Sequence, residues 1–223
     1  MVLSRNAKIG LVAFVIFDLL LVLTLVSLYS IRSQRDLLTE LNALGMSVYP
    51  EPTPLTTFQL TDQFGDSFTE QDLSGHWSIL LLGYTNCPDV CPLTMAELKQ
   101  FYERLDDPEI KHEARIVMVS VDIARDTPAT MASYVNSFNR DFIGLSGDED
   151  AISRLARQLF VAHSVTAPMP DHSEHDDTND DGYVIEHSSH LAIINKAGQL
   201  QAVVRQPIRD QDLSKAFRLL INR

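Results

Sequence analysis

The stretch Gly83-Tyr84-Thr85-Asn86-Cys87-Pro88-Asp89-Val90-Cys91-Pro92 decides how the chain is read. It follows Ser78 to Gly83, a continuous apolar run of the kind expected for a strand buried on both faces. It precedes Pro92 to Leu105, where Met95, Leu98, Phe101, Tyr102 and Leu105 recur at helical spacing. The two cysteines of the 223-residue chain therefore lie four positions apart, between a buried strand and a helix. Cysteines that close indicate a redox pair or a metal clip, and without a third cysteine a long-loop disulfide is excluded. Proline disfavours helical backbone in the residue before it, so Pro92 is expected at the first helical position, with Cys87 to Cys91 looping over the helix amino terminus. Unpaired N–H groups and the helix dipole there favour thiolate, the form that binds metal or attacks a disulfide. Open α/β sheets place their ligands at such carboxyl ends of strands.

Working outward, Phe58 to Thr69 reads as two short strands turning at Gln63-Phe64-Gly65-Asp66. Arg115 to Val121 is a second buried strand, and Thr127 to Phe138 a helix with Pro128 in its first turn. Phe142 to Leu145 gives a short strand and Asp148 to Phe160 an amphipathic helix. His190 to Asn195 and Gln199 to Val204 form a hairpin turning at Lys196-Ala197-Gly198, and Asp210 to Ile221 closes the pattern as a helix. Alternating strands and helices, ended by a hairpin and a helix, predict an α/β three-layer sandwich over residues 55–223.

Toward the amino terminus, Ile9 to Leu28 is almost wholly apolar, interrupted by Asp18, Thr24 and Ser27. Twenty helical residues rise about 30 Å, enough to cross a bilayer core. No small-x-small cleavage site follows Leu28, so residues 9–31 are expected to be an uncleaved signal anchor, with residues 1–8 as a cytoplasmic tail. Arg5 and Lys8 before the span nearly balance Arg32 and Arg35 after it, so charge alone sets the orientation weakly. A carboxyl group at Asp18 lies near mid-bilayer, where it is expected protonated or hydrogen-bonded to a partner helix. Leu37, Leu38, Leu41 and Leu44 keep a helical period as far as Gly45, and Pro50, Pro52 and Pro54 then suggest an extended linker, so residues 32–54 read as a juxtamembrane helix and linker.

The formal charge is −12, which opposes binding to a phosphate backbone and argues against a nucleic-acid partner. Part of that acidity is local: Asp171, Glu174, Asp176, Asp177, Asp180 and Asp181 crowd a stretch that also holds His172 and His175. Such a composition reads as a solvated loop, and its imidazoles and carboxylates also suit weak capture of a metal ion.

Around Cys87 the chain resembles the Cys-Pro-Asp-Val-Cys-Pro signature of the Sco/SenC copper proteins. Three further stretches agree. Phe58-Gln59-Leu60-Thr61-Asp62-Gln63-Phe64-Gly65 is similar to the family's opening hairpin. Ser120-Val121-Asp122 followed by Arg125-Asp126-Thr127-Pro128 is similar to its second strand and loop. Tyr183-Val184-Ile185-Glu186-His187-Ser188 resembles its Tyr-x-x-Asp-His segment, with Glu186 in place of aspartate. Ile123-Ala124 departs from the usual pattern, and Thr166 to Gly182 is unusually long and acidic. The resemblance implies a thioredoxin-like fold and copper held by Cys87, Cys91 and His187. It further implies a metallochaperone that aids assembly of the copper centre of cytochrome oxidase, supplied by an upstream copper donor or thiol reductant. The soluble domain would then lie on the periplasmic side of the cytoplasmic membrane.

Two soft thiolates and one imidazole suit Cu(I) at low coordination and also hold Cu(II), whereas structural zinc wants four ligands. Chemistry alone leaves His163, His187 and His190 open as the third ligand, and the resemblance selects His187. His76 and His112 sit among polar residues and read as solvated. Asp89 either caps the helix or tunes the site, and Asp122 is a further candidate beside it. The competing function is a thiol-disulfide reductase acting on the same oxidase subunit. Thioredoxin-like reductases use Cys-x-x-Cys and a facing cis-proline, while here three residues separate the cysteines and no proline lies between Asp171 and Ile194. A peroxiredoxin-type peroxidase would need a proline and threonine upstream of its cysteine, and Thr85 alone is present.

Overall fold

The computed structural model describes residues 5–161, 163–166, 184–187 and 190–222. Helix α1 (Arg5–Ala43) is followed by strands β1 (Met46–Pro54), β2 (Gln59–Asp62), β3 (Ser67–Thr69) and β4 (Trp77–Gly83). Then come α2 (Val90–Glu103), α3 (Pro108–Glu113), β5 (Ala114–Ser120), α4 (Pro128–Phe138), β6 (Ile143–Ser146) and α5 (Glu149–Gln158). The remaining elements are β7 (His163–Thr166), β8 (Val184–His187), β9 (Leu191–Ile194), β10 (Gln199–Val204) and α6 (Asp210–Ile221).

Among the described residues, eight strands form one sheet in the order β1-β10-β9-β4-β5-β6-β2-β3, and β7 pairs with β8 apart from it. The parallel centre is β4, β5 and β6. The continuous apolar run of β4 serves two faces at once. Ile79 and Leu81 join a core with Met95, Leu98 and Phe101 of α2, Met131 and Val135 of α4, and Phe217 of α6. Leu80 and Leu82 join a second core with Ile152 and Leu155 of α5 and Phe58 and Phe68 near the opening hairpin. Helices on both faces of a mixed sheet make the expected three layers.

Two features of the amino-terminal part go beyond what the pattern suggested. Helix α1 is a single helix of 39 residues whose described apolar side chains between Phe14 and Ile31 are exposed. By length and hydropathy it is a candidate membrane span. Its last turns belong to the folded body: Leu41 is fully buried, Lys215 pairs with Glu40 at 2.7 Å, and Arg205 donates to the Asn42 side chain at 2.7 Å. The helix stops where Gly45 adopts φ +83°, its N–H donating to the Asn42 carbonyl at 3.0 Å.

The proline-containing stretch expected as a linker is extended, but it is bound. It forms β1 at the sheet edge, antiparallel to β10, from Met46 opposite Val204 to Pro54 opposite Gln199. Proline is tolerated because it sits on an edge strand and because the register shifts between Val48 and Thr53, the interval holding Pro50 and Pro52.

Candidate metal centre

Strand β4 ends at Gly83, opposite Ser120 of β5, and the Val121 N–H donates to the Gly83 carbonyl at 2.8 Å. The chain then turns over the strand end, with Tyr84 buried and the Cys87 N–H donating to the Tyr84 carbonyl at 3.3 Å. Helix α2 begins at Val90, so Cys91 already lies inside its first turn and Pro92 is its third residue. That corrects the expectation that Pro92 opens the helix. First-turn N–H groups have no intrahelical acceptor, so a proline anywhere in that turn forfeits no hydrogen bond. The orphaned Cys91 N–H is instead satisfied by sulfur, donating to Cys87 Sγ at 3.4 Å. Asp89 occupies the N-cap position, exposed and without a capping side-chain hydrogen bond.

Neither cysteine is in a disulfide, and Cys87 and Cys91 are 9% and 1% exposed. Burial pushes the Cys91 thiol far above its ordinary range. A hydrogen bond from the Tyr84 backbone opposes that shift, while Cys87 and the carboxylate of Asp126 add to it. At Cys91, then, desolvation outweighs the helix terminus that was expected to favour thiolate. Its sulfur lies against Gly83: a Cβ added there would meet Cys91 Sγ at 2.9 Å and Met118 Cε at 3.3 Å. Glycine at that strand end is what allows the thiol to pack against the sheet.

The loop between β5 and α4 closes the other side. Asp122, proposed from sequence as a neighbour of the site, is buried and paired with Arg125 at 2.5 Å. The Arg125 guanidinium lies 6.0 Å from the centre of the Tyr84 ring. Asp126 is the residue that sequence reasoning missed. It accepts from the Thr85 N–H at 3.0 Å, from Thr85 Oγ1 at 2.5 Å and from Ser120 Oγ at 2.6 Å. The signal was present, since Asp126 sits within the Arg125-Asp126-Thr127-Pro128 motif, but nothing in that motif says which side chain turns inward. Tyr134 of α4 was missed as well. Its hydroxyl is buried without a hydrogen-bond partner among the described residues, and burial first, then the charges of Cys91, Cys87 and Asp126, push its ionisation upward.

The histidines divide. In the β7–β8 pair His163 and His187 are register partners, followed by Ser164 opposite Glu186. Half-buried His190 places Nε2 2.9 Å from the Leu159 carbonyl oxygen, which gives that ring a structural role. His76 and His112 lie together elsewhere, ring centroids 6.2 Å apart, and His76 is held below the ordinary imidazole range, chiefly by burial. The acidic stretch with His172 and His175 lies outside the described residues.

Comparison with known proteins places these features in context. The SCO1/SenC family model matches residues 50–222. A protein of Stutzerimonas stutzeri described as a candidate copper-binding protein is 29% identical over 89% of this chain and 91% of its own. The copper-bound ScoI of Bradyrhizobium japonicum is 27% identical with a TM-score of 0.62, covering 74% of this chain and 98% of that one. Copper-bound ScoI of Arabidopsis thaliana is 25% identical with a TM-score of 0.65, covering 75% and 98%. The fold is the thioredoxin-like one of these structures.

Proposed function

The chain belongs to the SCO1/SenC family, and from that premise we propose that it is a membrane-anchored copper metallochaperone whose cargo is held by Cys87, Cys91 and His187. The observation that carries the reading is the placing of two cysteines, outside any disulfide, together at the carboxyl end of β4, one sulfur seated on the other cysteine's N–H. Two thiolates and an imidazole accept Cu(I) and Cu(II) in the same site. Among the described residues no three His, Cys, Asp or Glu side chains converge on a common point. The third donor in this reading is His187, the histidine that matches the family's ligand position. Because burial keeps Cys91 protonated, taking up copper releases its proton, and affinity rises with pH.

Residues 9–31 anchor the chain in the cytoplasmic membrane, residues 1–8 stay inside, and residues 55–223, with the end of α1 and β1 packed onto them, form the copper domain on the periplasmic side. The described apolar side chains between Phe14 and Ile31 are exposed, and α1 packs on the folded body only from Leu37 onward, which supports an anchor that ends before that point. The recipient implied by the family is the copper-binding subunit of cytochrome oxidase, and an upstream donor or thiol reductant reloads the site.

The same reduced cysteine pair favours one other reading, reduction of a disulfide in that subunit. There Cys87 and Cys91 would give up two electrons and two protons, closing their own disulfide as the recipient's two cysteines become thiols. Mixing the copper(I)-loaded full chain with the copper-free, reduced oxidase subunit separates the two. Movement of copper to the subunit supports the chaperone. Retention of copper, together with one-for-one reduction when the subunit is supplied oxidised, assigns the chain as the reductase.

A further inference from the structure

Asp126 is an unusual buried anion. It is 2% exposed, and among the described residues no cation pairs with it, the neighbouring Arg125 being engaged with Asp122. Its compensation consists of three donors. Oδ2 accepts from the Thr85 N–H at 3.0 Å and from Ser120 Oγ at 2.6 Å, and Oδ1 accepts from Thr85 Oγ1 at 2.5 Å. Its own N–H donates to the Asp122 carbonyl at 3.0 Å. Burying an ion without a counterion is costly, and an apolar residue at this place would avoid that cost. Thr85 and Ser120 are the two ends the carboxylate joins. Thr85 stands two residues before Cys87 on the loop leaving β4, and Ser120 closes β5 opposite Gly83. The carboxylate also lies on the sulfur side of the sheet end: its partner Ser120 stands opposite Gly83, against which Cys91 Sγ packs.

We infer that Asp126 is a positioning residue for the metal site, tying the Cys87 loop to the end of β5 and, as a fixed anion beside the thiols, biasing the site toward Cu(II) over Cu(I). The inference rests on the copper reading above. Its electrostatic half follows from Coulomb's law, since a fixed negative charge stabilises a divalent ion twice as strongly as a monovalent one at the same place. With two thiolates and a neutral imidazole, the Cu(I) site already carries a net negative charge and the Cu(II) site none, so a further anion raises the energy of the reduced form. Asp126 therefore lowers the Cu(II)/Cu(I) midpoint potential.

The test uses the detergent-solubilised full chain and two readouts. One is hydrogen exchange at the Thr85 amide in the reduced, metal-free protein. The other is the midpoint potential of the copper-loaded protein. Asp126→Asn can keep the bond from the Thr85 N–H through its carbonyl oxygen, while its NH2 group donates to a rotated Thr85 hydroxyl. Its Thr85 amide is expected to exchange as in the parent, and its midpoint to move upward. Asp126→Ala is expected to speed that exchange about tenfold or more. Thr85→Val removes a donor but leaves the charge, so copper affinity falls about tenfold at an unchanged midpoint, and Thr85→Ser restores it. A parent-like midpoint in Asp126→Asn would overturn the electrostatic role. Parent-like exchange in Asp126→Ala, or parent-like affinity in Thr85→Val should the alanine variant not fold, would overturn the anchoring role. A parent chain that takes up no copper overturns the functional reading instead, and the metal-free exchange measurement still decides the anchoring.

Discussion

The sulfur of Cys87 accepts a hydrogen bond from the backbone nitrogen of Cys91 at 3.4 Å. The first turn of α2 is therefore capped by a thiol, while the exposed Asp89 at the N-cap position makes no capping bond. Removing an effective cap costs about 1 kcal/mol, and an exposed side chain away from such features about 0.5 kcal/mol or less. Urea unfolding of the reduced, metal-free chain should show Cys87→Ala as the more destabilising and Asp89→Ala as nearly neutral. The reverse order would return the capping role to Asp89.

Burial raises the folded-state pKa of Cys91 above its unfolded value. A group raised in this way contributes stability that is complete below its unfolded pKa and is lost as pH climbs past it. For a thiol the loss begins near about pH 8.5, and tyrosines add theirs only above about pH 10. The unfolding midpoint of the reduced, metal-free chain should therefore decline between those two values. Cys91→Ala should flatten the decline. An equally steep decline in that variant would place the alkaline sensitivity elsewhere.

Much of the framework was legible in the sequence because the signals were local. The apolar run into Gly83, the Gly65 turn and the Pro128 helix start each name their own conformation, and each lies where expected. What stayed hidden depends on contacts distant in sequence. Nothing in Met46 to Pro54 announces that it pairs with residues 199–204, since prolines at an edge strand look like prolines in a linker. The inward turn of Asp126 depends on Thr85, 41 residues earlier. Helix α2 starts two residues before Pro92, so Cys91, the residue that a following proline disfavours in a helix, is helical all the same. Backbone pairing of His163 with His187 was equally out of reach, because a long acidic stretch separates them.

Leu41 and Met46 are both fully buried, although they precede the stretch first read as the domain start at Leu55. Truncating a fully buried leucine to alanine costs about 2–5 kcal/mol. A chain begun at Leu37 should unfold at nearly the midpoint of the parent's folded body. One begun at Leu55 should unfold earlier and tend to associate through the bared edge of β10. Equal urea midpoints and equal monodispersity for the two would show that β1 and the end of α1 add nothing to the fold.

The most direct measurement is copper stoichiometry and affinity of the reduced full chain, by competition with a Cu(I) chelator, alongside Cys87→Ser, Cys91→Ser and His187→Ala. One copper ion per parent chain is expected. Each variant should lose at least about tenfold in affinity, because a three-ligand site has no spare donor. Parent-like binding in His187→Ala would contradict the ligand set and shift attention to its register partner His163, and absence of copper from the parent would contradict the metallochaperone itself.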